Sequence, residues 1–173
     1  MLLDWQQMAG NRTPRLATER LVLGPLGVAD AAEMATVLSD PELYAFTGGE
    51  PPSRHELEVR YARWVAGRSA DGAEEWHNWI VRRLNDGVAV GTVQATIYVG
   101  RSTADIAWVI GRPWQGQGFA TEAARALAAW LVERGLGITA HVHPGHAASA
   151  EVARRAGLLP TDQVEDGEVV WRR

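Results

Sequence analysis

Residues 105–134 constrain this chain most. An apolar run, Asp105-Ile106-Ala107-Trp108-Val109-Ile110, is followed by Gly111-Arg112-Pro113-Trp114-Gln115-Gly116-Gln117-Gly118. Next, Thr121 to Arg134 carries Ala124, Leu127, Ala128 and Leu131 as one stripe, with Gly135 just past its end. The spacing predicts a strand, a glycine-rich loop and a helix in direct succession. Glycine lets backbone amides turn inward with no Cβ in the way. A helix's first amides have no internal acceptor and lie at the positive end of its dipole. Such a segment can hold a phosphate or pyrophosphate without a cationic side chain. A tight strand-to-helix turn with no ligand is the plainer alternative for a glycine loop taken alone.

Two absences narrow the chemistry. The sequence has no cysteine, and all 17 of its basic residues are arginine, with no lysine. A Walker loop, a pyridoxal Schiff base and a kinase strand lysine all need lysine. Disulfide frameworks, thiol nucleophiles and cysteine zinc sites need cysteine. A dinucleotide fingerprint needs a third glycine after the first strand of a parallel unit, and neither condition holds here. With 173 residues, 46% hydrophobic and 22% charged, the chain suits one domain. A net charge of −4 argues against nucleic acid as the main partner. The start, Met1-Leu2-Leu3-Asp4-Trp5, lacks a basic stretch followed by an apolar run, and no apolar run is long enough to span a bilayer. The expectation is a cytoplasmic protein with no membrane partner, a monomer or homodimer.

The remaining punctuation divides the chain readily. Residues 1–15 read as a loose arm and 16–173 as one domain. Thr18 to Pro25 reads as a strand, and Asp30 to Leu38 as a helix. Ser53-x-x-Glu56 is a capping box opening a helix that carries Leu57, Tyr61, Trp64 and Val65. Asn85-Asp86-Gly87 is a hairpin turn joining Trp76–Arg83 to Val88–Tyr98. Ile138 to His143 is a strand stopped by Pro144-Gly145, Ala147 to Ala156 a helix, and Val164 to Trp171 a hairpin broken at Asp166-Gly167. The fold class is therefore α+β, with helices packed on a largely antiparallel sheet.

Several of these segments resemble the GNAT superfamily of acyl-CoA-dependent N-acyltransferases. Gln115-x-x-Gly118-x-Ala120 resembles its cofactor loop. The wider text Trp114 to Ala123, with Thr18-Glu19-Arg20-Leu21 and Ser149-x-x-Val152-Ala153-x-x-x-Gly157-Leu158, is similar to the ribosomal-protein N-terminal acetyltransferase branch. The likeness runs over roughly residues 17–160. It implies a sheet splayed at the cofactor site and about four helices. It also implies acetyl-CoA as cosubstrate, with its pyrophosphate on the amides of Gln115, Gly116, Gln117, Gly118, Phe119 and Ala120, ahead of a helix opening at Thr121. Pantetheine would then run beside Val109 and Ile110 like an added strand.

Two positions depart from the family pattern. An asparagine commonly begins the last helix and contacts the cofactor, and a tyrosine seven residues later often protonates the leaving thiolate. Here those positions hold His146 and Ala153. Ser149 matches the serine that is the acid candidate in the ribosomal-protein branch, although a serine there can equally serve the first helical turn.

Acetylating an amine needs a neutral amine, a route for its proton and polarisation of the thioester carbonyl. His141 and His143 alternate with apolar residues and leave one face of a strand. Either is a reasonable base, or a strand histidine bonded for structure. Asp105, near the start of the splayed strand, is a second base candidate, or simply a strand-end carboxylate in solvent. Glu50, Glu75, His77 and Asn78 are candidates for gripping the acceptor amine. His-x-His-x-x-His suggests zinc weakly, but a Pro-Gly turn intervenes and no carboxylate adjoins, so no metal is expected. The expected activity is direct acetyl transfer to a primary amine, on a protein N-terminus or a small molecule. The alternative is a CoA-binding regulatory module that has lost catalysis.

Overall fold

The computed structural model describes residues 13–173. The proposed N-terminal arm therefore falls, for residues 1–12, outside the described residues. The elements run β1 (Leu16–Ala17), β2 (Leu21–Pro25), α1 (Ala31–Val37), α2 (Arg54–Trp64), β3 (Glu74–Arg83), β4 (Ala89–Tyr98), β5 (Thr103–Ile110), α3 (Phe119–Val132), β6 (Gly137–Val142), α4 (Ala147–Arg155), β7 (Leu159–Glu165) and β8 (Glu168–Arg172).

All eight strands form one sheet in the order β1-β2-β3-β4-β5-β6-β8-β7. Every pairing is antiparallel except β5 with β6. That single parallel step exists because α3 carries the chain back across the sheet, as a parallel neighbour requires. The expected mixed architecture, with four α-helices on a mostly antiparallel sheet, is what the chain adopts.

Strand alternation sends side chains to two different cores. Trp79, Val81, Val93, Ile106, Ile138, Ala140 and Val142 pack with Leu127, Leu131 and neighbours on α3 and with Ala153 of α4. Ile80 and Ala89 face the other way, against Met34 of α1 and Leu57 and Tyr61 of α2. Complete burial of a side chain such as Leu127 stabilises the fold by about 1.5–3 kcal/mol.

The helix boundaries follow local chemistry. Ser53 accepts the Glu56 N–H at 3.2 Å while the Glu56 carboxylate accepts the Ser53 N–H at 2.7 Å, completing the capping box. Helix α3 starts at Phe119 rather than Thr121, because Gly118 takes the left-handed conformation (φ 82°) and turns the chain into the helix at once. Strand β7 begins at Leu159, well ahead of the expected Val164. It is an exposed edge strand with no apolar alternation to announce it.

Candidate functional site

The sheet is not continuous between β5 and β6. Their ladder runs only from Thr103↔Gly137 to Asp105↔Thr139, although β5 continues to Ile110 and β6 to Val142. Beyond Asp105 the two strands part. On that side the backbone of Ile106 to Ile110 faces a gap and has no strand neighbour. Such an edge accepts an extended ligand as an added strand. Val109 and Ile110 are the last residues of this edge.

The glycine loop sits at the end of this edge. Gly116 (φ 74°) and Gly118 (φ 82°) are both left-handed, a conformation costly for any residue with a Cβ. Helix α3 has no side-chain cap at Gly118. The amides of Gly118, Phe119, Ala120 and Thr121 thus face outward without helical acceptors. The Gln115 side chain donates from Nε2 to the Ile110 carbonyl at 3.0 Å and pins the loop to the end of β5. Gln117 Nε2 donates to the Pro113 carbonyl at 3.3 Å.

A second anchor comes from the N-terminal side of the chain. Arg20 donates from Nη1 to the Gln117 carbonyl at 3.0 Å and from Nε to Glu122 Oε2 at 2.7 Å. The Arg20 backbone N–H donates to Glu122 Oε1 at 2.9 Å, and the Thr18 hydroxyl donates to the same atom at 2.5 Å. The Arg20 guanidinium also lies 4.9 Å from the Phe119 ring centroid. Burial alone would raise the Glu122 carboxyl, but the Thr18 and Arg20 hydrogen bonds outweigh it and hold the group below its ordinary range. A glutamate in the first turn of an anion-binding helix would repel an anion, and here Arg20 neutralises it. Thr18, Arg20 and Glu122 were not among the expected site residues. Their signals in the sequence were Thr18-Glu19-Arg20-Leu21 and the Trp114 to Ala123 text, which carried the resemblance without a role for these three.

Strand alternation places the histidines of β6. Ile138, Ala140 and Val142 face the α3 core, so His141 projects from the opposite face, and His143 follows one step beyond the strand. Phe46, from the segment between α1 and α2, packs on His143 (centroids 5.2 Å apart) and on His146 (4.4 Å). Phe46, His143 and His146 thus form an aromatic trio where the chain leaves β6 and enters α4. His146 is the N-cap of α4, and its Nδ1 accepts the Ser149 N–H at 3.2 Å. Burial lowers its pKa, and the nearby His143 acts in the same direction. The imidazole therefore does the capping work that asparagine does elsewhere. The Ser149 hydroxyl, by contrast, makes no hydrogen bond among the described residues and does not serve the helix turn.

Asp105 stands at the fork, the last residue of β5 that is paired with β6. Tyr98 donates to its Oδ2 at 2.7 Å, and this bond, with burial, pushes the phenol up to about 12. One carboxylate oxygen of Asp105 is thereby occupied.

The acceptor candidates do not converge. His77 packs on Trp79 and on Trp130 of α3 (centroids 6.0 and 5.1 Å away), with burial holding its pKa down. Its Nδ1 also lies 3.1 Å from Thr13 Oγ1. Glu75 shares that face by alternation. Asn78 projects from the other face, with Ile80 and the α1–α2 layer, and is buried. Glu50 is exposed in the loop before α2. Of the three candidates on β3, only Asn78 lies on the side of the sheet where His141 projects. Among the described residues no group of three His, Asp or Glu side chains could hold a metal ion, and no helix is long and apolar enough to cross a membrane.

Comparison with known proteins follows the same geometry. The model of the acetyltransferase (GNAT) domain matches residues 20–159. An acetyltransferase of the GNAT family from Bacillus anthracis superposes with a TM-score of 0.76 at 19% identity, covering 92% of this chain and 98% of that one. A spermidine N-acetyltransferase from Vibrio cholerae, in complex with CoA and spermine, gives 0.72 at 19% identity, covering 90% and 94%. A ribosomal-protein-S5-alanine acetyltransferase from Vibrio fischeri gives 0.72 at 15% identity, covering 92% and 96%. At these identities the superpositions speak to fold. No curated protein matches the sequence.

Proposed function

The chain belongs to the acetyltransferase (GNAT) family, and from that premise we propose that it transfers an acetyl group from acetyl-CoA directly to a primary amine. The observation that carries this reading is the parting of β5 and β6 beyond Asp105↔Thr139, immediately ahead of the uncapped start of α3. A CoA pyrophosphate suits the amides of Gly116 to Thr121, the Gln115 N–H being turned to the Arg112 carbonyl, and pantetheine suits the edge at Val109 and Ile110. The thioester then falls in the gap, on the side where His141 projects.

The amine loses a proton to His141 or His143, directly or through one water. It attacks the thioester carbon, a tetrahedral oxyanion forms against a backbone amide of β5, and the C–S bond breaks. The thiolate takes its proton from Ser149, whose hydroxyl is otherwise unbonded, or from solvent. No acyl-enzyme forms, because the chain has no cysteine and no serine in a nucleophile elbow. Asn78 is the acceptor contact on β3 that fits this geometry, with Glu50 of the loop before α2 as the further candidate, while Glu75 and His77 point to the α3 side. The acceptor is a protein N-terminus or a small amine.

Calorimetry with acetyl-CoA tests the first half. Release of free CoA thiol over a panel of a polyamine, an aminoglycoside and peptides with free N-termini tests the second. Binding with turnover of at least one amine is expected. Binding without turnover of any amine leaves a CoA-binding module, and absence of binding removes the reading altogether.

A further inference from the structure

Three imidazoles stand on β6 or between it and α4, and their partners fix where each neutral ring carries its proton. His143 Nδ1 accepts the Gly145 N–H at 3.0 Å, and His146 Nδ1 accepts the Ser149 N–H at 3.2 Å. A neutral imidazole has one lone pair. In both rings that pair is spent on a backbone amide, and the proton sits on Nε2. Neither can take a proton from a substrate without breaking the turn it supports.

His141 is arranged the other way. Its Nε2 lies 3.1 Å from Glu165 Oε2, and a carboxylate can only accept, so Nε2 donates. The lone pair is left on Nδ1, which makes no hydrogen bond among the described residues. The His141 side chain is 27% exposed and that of Glu165 59%. The pair is thus open to a reactant as well as to solvent.

Resting on the acetyl-transfer reading, we infer that Glu165 is a positioning residue for His141. It holds the ring as the Nε2–H tautomer, leaves Nδ1 as the base, and stabilises the imidazolium that forms. In the step itself the ammonium N–H bond breaks, its proton goes to Nδ1, and the freed lone pair of the amine attacks. The proton returns to solvent after product leaves. His–carboxylate pairs of this kind set tautomer and orientation in other sites.

The outer hairpin explains how Glu165 arrives there. Asp166 (φ 49°) and Gly167 (φ 83°) both adopt positive φ, the signature of a two-residue hairpin turn with a fixed register. That register sets Glu165 opposite Glu168. Two like charges facing across a ladder are locally unfavourable. A rule broken locally points to a role elsewhere, and the His141 ring is what Glu165 meets. Other charged groups bear on the ring as well. Glu168 and Arg172 project from β8 on the same face, Asp105 stands on β5 bonded to Tyr98, and His143 lies two residues along. Arg172 is turned to the Gln163 side chain.

Nitrogen-15 spectra of histidine-labelled protein test this without knowledge of the acceptor. Neutral His141 should be the Nε2–H tautomer in the wild type and lose that preference in Glu165→Ala. Glu165→Gln keeps an acceptor, so it should retain part of the Nε2–H preference that Glu165→Ala loses. Glu165→Asp should likewise retain part of it, and Glu168→Gln should leave it unchanged. With any amine that turns over, Glu165→Gln should lower kcat on the order of tenfold and leave KM for acetyl-CoA unchanged. An unchanged tautomer in Glu165→Ala overturns the inference. A tautomer preference lost in Glu165→Ala, in a protein that binds acetyl-CoA but acetylates nothing, supports the His141–Glu165 pairing and sinks the catalytic reading instead.

Discussion

Gly118 is where fold and proposed cosubstrate site meet most directly, so replacing it separates the two. Its φ of 82° costs a residue with a Cβ about 1–2 kcal/mol. A Cβ there would also stand 3.3 Å from Arg20 Nη2, the guanidinium that pins the loop to Glu122. Gly116 is a matched control, because its φ of 74° carries the same backbone cost while a Cβ meets nothing within 4 Å. Gly118→Val adds β-branching and forces the backbone out of the left-handed region. The amides of residues 118–121 then turn away from a common point. Each charge-assisted hydrogen bond to a phosphate contributes roughly 1.5–3 kcal/mol, so losing one weakens CoA binding about 10- to 100-fold. Calorimetric Kd values for CoA with Gly118→Val, Gly118→Ala and Gly116→Ala, each beside a thermal melt, provide the comparison. Gly116→Ala should lose stability with little loss of affinity, and Gly118→Val should lose both. Wild-type CoA affinity in a folded Gly118→Val protein would refute the amide-cradle argument.

Three further outcomes are expected. Arg20→Ala frees the Gln117 carbonyl and leaves Glu122 uncompensated at the helix start; CoA affinity should fall several-fold while Tm falls by a few degrees, the pair being half-exposed and worth roughly 1 kcal/mol. Ser53→Ala removes the capping box of α2 and should cost about 0.5–2 kcal/mol in chemical denaturation, with CoA binding unchanged. His77 and His146 both have folded-state pKa values below 6.5 because burial disfavours the charged ring. Below pH 6.5 the unfolded chain therefore binds more protons than the folded one, so their stabilisation is complete above that pH and is lost as pH falls. Unfolding free energy should drop between pH 7 and 5.5, and His146→Asn, which keeps a cap but does not titrate, should flatten part of that slope; identical slopes would exclude His146 from it.

What the sequence disclosed and what it hid divide along range. Ser53-x-x-Glu56, Asn85-Asp86-Gly87 and the α3 stripe are interactions within one turn or one helical period, and each is written in adjacent letters. The anchor of the cofactor loop is not. Arg20 and Glu122 lie far apart in the chain, and only the packing of α3 across β2 makes them a pair. The same holds for Glu165 and His141, and for the fork between β5 and β6, which depends on where a ladder stops. The alternation of β3 could have warned that Glu75 and His77 cannot both join Asn78, since adjacent strand residues face opposite ways. His146 is the most instructive case. In the sequence it reads as the loss of a helix-opening asparagine, hence as a hint of lost function. In the fold its Nδ1 accepts the Ser149 N–H as an asparagine oxygen would, which leaves the serine hydroxyl free. The substitution exchanges a neutral cap for a titratable one. The start of α4, and with it the Phe46 contact, becomes dependent on a ring that must stay unprotonated.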